Sequence, residues 1–138
     1  MPDQNERNKL LAAEFRTNGG WVEEEKFKDA PLLLLTTKGR VSGRSYLNPL
    51  MYLPDGDRYV VFASHQGAPQ DPDWYKNLIA AGDATIEVGD ARVQVKVVLT
   101  AGAERDELYA RHASLHPRFA DYEQNTTRKI PVVALEPI

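Results

Sequence analysis

The 138-residue chain contains no cysteine. That excludes a disulfide scaffold, an iron–sulfur cluster, a zinc ribbon and a thiol nucleophile. It has no basic excess either: 17 lysines and arginines stand against 20 aspartates and glutamates, a net charge of −3. A general nucleic-acid binder usually carries the opposite balance, so none is expected as a partner. No apolar run approaches the ~20 residues that span a bilayer; the most apolar stretches are Leu32 to Leu35 and Val60 to Ala63. The polar opening, Met1 to Lys9, leads into no signal-peptide stretch, so a cytoplasmic location is expected. Three catalytic templates are missing too. There is no G-x-S-x-G elbow, no H-E-x-x-H helix and no G-x-G-x-x-G fingerprint. His112 and His116 could share a helix face, but Pro117 follows at once and no third ligand is adjacent, so no metal is expected.

What remains is an ordinary folded composition, with 42% hydrophobic and 27% charged residues, of single-domain length. Residues 1–30 read as an N-terminal helix and connector, and residues 31–138 as one sheet domain. The helix, about Gln4 to Thr17, has only a loose apolar stripe and stops at Asn18-Gly19-Gly20. It could pack, exchange with a second copy or rest on a membrane surface.

From Leu32 the pattern turns to strands. Leu32 to Thr37, Ser45 to Leu53 and Arg58 to Ser64 come first, the last two joined by a turn at Pro54-Asp55-Gly56-Asp57. A helix capped by Asp71 or Asp73 runs to Ala81 and ends at Gly82. A second hairpin, Ala84 to Val88 and Arg92 to Leu99, turns at Gly89-Asp90. A helix from Ala103 to Leu115 follows Thr100 as N-cap, and a last strand covers Pro131 to Leu135. The class is α+β, a mainly antiparallel sheet rolled into a small barrel with helices outside.

Three stretches could carry chemistry. No acidic residue lies between Asp29 and Asp55, while Lys38, Arg40 and Arg44 bracket a glycine-flanked turn. Converging backbone N–H groups and guanidinium forks suit phosphate or carboxylate; a solvated basic hairpin tip is the plain alternative. At Ala63 to Pro69, a strand ends in a small-residue loop ahead of a helix bearing Trp74. A flat ligand could approach there, or Trp74 and Leu78 could simply be core. Third, the aromatic run Leu115 to Tyr122 could wall a pocket or fill a barrel end as a packed loop.

Taken together, these stretches resemble one family. Leu34 to Arg44, Asn48-Pro49-Leu50, Ala63 to Ala68, Asp73 to Leu78, Asp121-Tyr122 and Arg128 to Val133 look like the deazaflavin-dependent nitroreductases. Those are actinobacterial oxidoreductases that use reduced coenzyme F420, an 8-hydroxy-5-deazaflavin. The resemblance covers roughly Pro31 to Pro137. It implies a split β-barrel of the FMN-binding, pyridoxamine-phosphate-oxidase-like kind, with residues 31–138 as the coenzyme-binding domain.

By that resemblance, Arg40, Ser42, Gly43 and Arg44 would meet the coenzyme's phosphate and tail. Asn48, Pro49, Leu50 and Met51 would run along the ring or ribityl chain. Ala63, Ser64, His65, Gly67 and Ala68 would supply further contacts, with Trp74, Asn77 and Leu78 closing the other side. Met51, His116, Phe119 and Tyr122 would face the substrate. Ser64 would bond near the ring or acceptor, and Tyr122 would orient substrate or supply a proton. Some positions depart from the family pattern: Val41, Tyr46 and His65 stand where basic residues are common, and His116, Phe119 and Met51 where nitroimidazole reducers carry tyrosines.

The implied function is hydride transfer from reduced F420 to a planar electron-poor acceptor such as a quinone or enone. Two alternatives remain at this point, a non-catalytic F420 carrier and an FMN-binding oxidoreductase on the same fold. Monomer and homodimer both remain open, as does peripheral membrane contact through the N-terminal helix.

Overall fold

Four consecutive leucines fit a strand covered on both faces. β1 (Leu32–Lys38) is that strand: Leu32 and Leu34 enter one apolar cluster, Leu33 and Leu35 another. The computed structural model describes residues 4–23, 31–68 and 70–138; the expected connector at 24–30 lies outside the described residues. Around β1 lie β2 (Ser45–Met51), β3 (Leu53–Asp55), β4 (Arg58–Phe62), β5 (Asp83–Val88), β6 (Ala91–Leu99) and β7 (Val132–Pro137). All pairings are antiparallel, in the order β2-β1-β5-β6-β7-β4-β3.

The order of the strands dictates the curvature. β2 and β3 are the two edges, yet a single residue, Tyr52, joins them. Six inter-strand steps in a flat sheet would hold the edges roughly 29 Å apart, while two residue steps span ~7 Å. The sheet therefore curls until its edges meet, which is the expected split barrel. β4 and β7 repeat the two-sided burial of β1, with Val60 and Val132 on one side and Val61 and Val133 on the other.

Among the described residues four α-helices complete the fold: α1 (Gln4–Thr17), α2 (Asp73–Ala81), α3 (Gly102–Leu115) and α4 (Arg118–Gln124). α1 packs. Asn8, Ala12 and Phe15 form its buried stripe, and Arg16 reaches Glu87 of β5 through a two-pronged ion pair at 2.9 and 2.8 Å. On α3 the stripe is Arg105, Leu108, Tyr109 and His112. Its arginine is satisfied by the Ile130 carbonyl, receiving bonds of 3.1 and 2.8 Å from Nε and Nη2.

Four local expectations need correction. The strand expected from Ser45 to Leu53 breaks at Tyr52, where the chain changes edges. Thr100 caps no helix; its hydroxyl donates to Val132 O at 2.7 Å, and α3 starts at Gly102. Neither Asp71 nor Asp73 caps α2: Pro72 holds the cap position, Asp73 lies in the first turn, and Asp71 pairs with Arg128. The aromatic run after Pro117 is a helix, α4, because Pro117 at φ −56° is compatible with a helix start. Both hairpin turns are found where expected, with Gly56 at φ +61° and Gly89 at φ +57°.

Candidate active site

An edge strand leaves one side of its backbone without a strand partner, and a proline is tolerated there. β2 is such a strand. Asn48, Pro49, Leu50 and Met51 pair inward with Leu35, Leu34, Leu33 and Leu32. Outward they line a groove of about 990 Å³. The β1–β2 loop, the start of α2, the end of β4, α4 and one side of α1 supply its other walls.

Its polar end is built by the β1–β2 loop. The loop closes on itself through Gly39 N–H to Arg44 O at 2.7 Å and Gly43 N–H to Gly39 O at 3.0 Å. Arg44 N–H donates to Ser42 Oγ, which also bonds the Tyr46 hydroxyl, both at 3.2 Å. Gly39 has to be glycine: a Cβ there would lie 2.7 Å from Ser42 Oγ and 2.8 Å from the Tyr46 ring. The loop is then tied to α2. Asn77 Oδ1 accepts both the Arg40 backbone N–H, at 3.2 Å, and its guanidinium, at 2.7 Å. Asp73 Oδ1 lies 3.5 Å from the same guanidinium. Arg40 is thus held at the rim by groups 33 and 37 residues away, a pairing with no local signal.

Its other end is aromatic. Phe62, Phe119 and Tyr122 form an edge-to-face chain with centroids 6.1 and 5.2 Å apart, and the Arg118 guanidinium approaches Met51 Sδ. Behind them sits His112, 1% exposed. Its ring stacks on Phe62 at 4.1 Å and meets the Phe119 ring edge-on at 4.3 Å. Neither ring nitrogen has a hydrogen-bond partner among the described residues. Burial, reinforced by His116 and Arg118, pushes its pKa down to about 3. The neutral ring therefore acts as an apolar backing for the groove wall. His116 is also shifted down, by burial and by Arg118. No group of three or more His, Asp or Glu side chains among the described residues could hold a metal ion.

The groove brings together Arg40, Ser42, Asn48, Pro49, Leu50, Met51, Ser64, His65, Trp74, Asn77, Phe119 and Tyr122. Trp74 does both of its expected jobs, packing in the core and lining the groove. Other expected residues lie off the wall. Ala63 and Leu78 are fully buried. Gly43 and Arg44 shape the loop behind its rim. Gly67 and Ala68 turn against α4, where a Cβ on Gly67 would lie 3.2 Å from Tyr122 O. His116 sits beside His112, with ring centroids 4.8 Å apart.

Sequence reasoning gave no site role to Phe62 and Pro72 on the wall, nor to Arg7, Asn8 and Leu11 of α1. In α1, Asn8 belongs to the buried Asn8-Ala12-Phe15 stripe, and Arg7 and Leu11 flank it. Also missed was Arg128, whose guanidinium holds the loop after β4.

A curled antiparallel barrel with a groove running from the Arg40–Ser42 loop to an aromatic wall defines a class, the split-barrel proteins. The comparisons give the family. A profile described as F420H(2)-dependent quinone reductase matches residues 7–137, and the chain belongs to that family. The Mycobacterium tuberculosis F420H(2)-dependent quinone reductase Rv1261c is 37% identical over 132 residues, covering 92% of this chain and 87% of that protein. A solved F420-H2 dependent reductase is 32% identical with a TM-score of 0.70, covering 77% of this chain and 94% of that one. A structure described as a domain-swapped dimer is 26% identical with a TM-score of 0.72, covering 95% and 94%.

The donor set fits the family's coenzyme. Arg40 and Ser42 offer cationic and hydroxyl contacts suited to an anionic tail. Pro49, Leu50, Met51 and Trp74 offer an apolar bed for a flat ring. The volume is at the upper end of that found for small-molecule sites.

Proposed function

We propose that this chain binds reduced coenzyme F420 in the groove and catalyses hydride transfer to a quinone held against Phe119 and Tyr122. The observation that carries the reading is the joining of the Arg40–Ser42 rim and the Phe62–Phe119–Tyr122 wall in one groove. Bound there, the coenzyme supplies the hydride, which is why a cysteine-free chain needs no redox group of its own.

The chain's residues do the rest. Arg40, steadied by Asn77, neutralises the anionic tail, with Ser42 beside it and Arg44 behind the rim. Asn48 to Met51 and Trp74 fix the plane of the ring. Phe62 and Phe119 exclude water from the aromatic end, which strengthens every polar contact inside. Ser64 bonds near the reacting edge. Tyr122 orients the quinone and hands on the proton that accompanies the hydride.

The test is a titration of F420 fluorescence, followed by menadione-dependent oxidation of F420H2. Binding with acceleration over the free coenzyme is expected. Binding without acceleration would make the chain a carrier, and preference for FMN would replace the coenzyme.

The proposal extends to a cytoplasmic enzyme that self-associates and touches membranes through α1. The domain-swapped relative supports self-association, and exposed Leu10 flanked by Arg7 and Lys9 supports membrane contact. A monomer by light scattering, or no pelleting with anionic vesicles, would refute each in turn.

A further inference from the structure

Arg128 is heavily engaged beside the groove, though it does not line it. Its side chain is 15% exposed. Nη1 donates to Ala63 O at 3.1 Å, Nη2 to Ser64 O at 2.8 Å and Nε to Ala68 O at 2.9 Å. Nη1 also meets Asp71 Oδ1 at 2.9 Å. One guanidinium thus gathers three carbonyls and a carboxylate from a single loop.

The carbonyl directions have a consequence on the opposite side of the chain. In a trans peptide the N–H points away from the C=O of the same unit, and no cis peptide occurs among the described residues. The Ala63 carbonyl faces Arg128, so the Ser64 N–H faces the other way. The Ser64 carbonyl faces Arg128 too, so the His65 N–H is turned likewise. The local backbone agrees. Ala63 N–H donates to Pro131 O at 3.0 Å, which puts both polar groups of Ala63 on the β7 side. Ser64 itself is helical, at φ −72° and ψ −35°, so its N–H and that of His65 point the same way, and Ser64 and His65 line the groove. Holding this arrangement places His65 at φ +48°, a conformation uncommon for a residue with a side chain.

We propose that Arg128 is a positioning residue. By fixing the Ala63 and Ser64 carbonyls it presents the Ser64 and His65 N–H groups to the groove as a donor pair for a ring carbonyl oxygen. The proposal rests on the functional reading above and deepens it. A ring carbonyl is common to both reactants, the deazaflavin and the quinone. If the quinone's oxygen lies there, the pair stabilises the negative charge that grows on it as hydride arrives. If the coenzyme's oxygen lies there, the pair sets the ring's position.

Ser64 has φ −72°, close to the value a proline ring imposes. Ser64→Pro therefore deletes the amide donor with little backbone cost, and Ser64→Ala controls for the lost hydroxyl. Against Ser64→Ala, Ser64→Pro is expected to weaken F420 binding by about tenfold in a fluorescence titration if the coenzyme carbonyl is held. It is expected to lower menadione-dependent kcat by about 100-fold, with coenzyme affinity kept, if the quinone carbonyl is held. Arg128→Lys keeps the charge beside Asp71 but cannot fork to three carbonyls, so it should show the same pattern with its melting temperature near that of the wild type. Equal affinity and equal kcat for Ser64→Pro and Ser64→Ala would overturn the proposal. So would full rescue by Arg128→Lys. Failure of the wild-type protein to bind F420 would instead overturn the functional reading beneath it.

Discussion

The buried His112 ring should make the protein lose stability as the pH falls toward 5. Its pKa of about 3 in the folded chain lies well below the ordinary value of 6.5 that it regains on unfolding. Above pH 6.5 the ring is neutral in both states and contributes no pH dependence. Below pH 6.5 the unfolded chain takes up a proton that the folded chain refuses, so acid favours unfolding. The loss approaches ~1.4 kcal/mol per pH unit, giving about 2 kcal/mol at pH 5. It would be complete only below pH 3, when the folded ring also titrates.

The physical cause is local. His112 is sandwiched between Phe62 and Phe119, next to His116, and Arg118 adds further positive charge. His112→Phe keeps a ring on Phe62 and removes both unpartnered nitrogens. The variant should be at least as stable as the wild type at pH 7. Urea unfolding of both proteins at pH 7, 6 and 5 gives the comparison, and the carboxylates cancel in the difference. A gap that widens by about 2 kcal/mol between pH 7 and 5 is expected. Parallel pH profiles would refute the reasoning, because they would mean that His112 finds a partner or charges in the folded state.

Three further outcomes follow from the same geometry. The double variant Arg40→Ala, Arg44→Ala should weaken F420 binding by at least tenfold at low salt, and the wild-type affinity should fall with added salt; unchanged affinity would remove the anionic-tail assignment. Leu34→Ala, at a fully buried position opposite Pro49 in the β1–β2 ladder, should cost ~2–5 kcal/mol in chemical denaturation. Gly67→Ala forces a side chain into φ +81° and a Cβ to 3.2 Å from Tyr122 O. It should lower stability by ~1 kcal/mol or more and displace α4, read as a lower melting temperature.

Local chemistry was legible and long-range chemistry was not. Asp55-Gly56 and Gly89-Asp90 announce hairpins because glycine relieves the positive φ those turns need. The Leu32–Leu35 run announces a strand buried on both faces because every position is apolar. α4 was hidden because seven residues are too few to show a helical period, and because Pro117 looks like a stop when it also permits a start. The break at Tyr52 was hidden because the residues on either side share one alternating pattern; only the meeting of the sheet edges makes them two strands. At the groove, residue types near the rim and the ring bed could be read locally. Pairings such as Arg40 with Asn77, or Arg128 with Ala63, Ser64 and Ala68, cross 37 to 65 residues and leave no spacing to find.

The one-residue joint at Tyr52 couples parts of the molecule that would otherwise adjust separately. β2 carries the groove's ring bed, and β3 belongs to the hairpin that closes at Gly56. Two strands joined by a long loop can slip in register independently. These two cannot: a one-residue shift of β2 would have to be absorbed by β3, and each shift would turn every side chain to the wrong face. The β3–β4 turn, whose residues do not line the groove, thus sets the phase of Asn48 to Met51. Lengthening the chain at Tyr52 would therefore detune the groove while leaving each of its residues in place in the sequence.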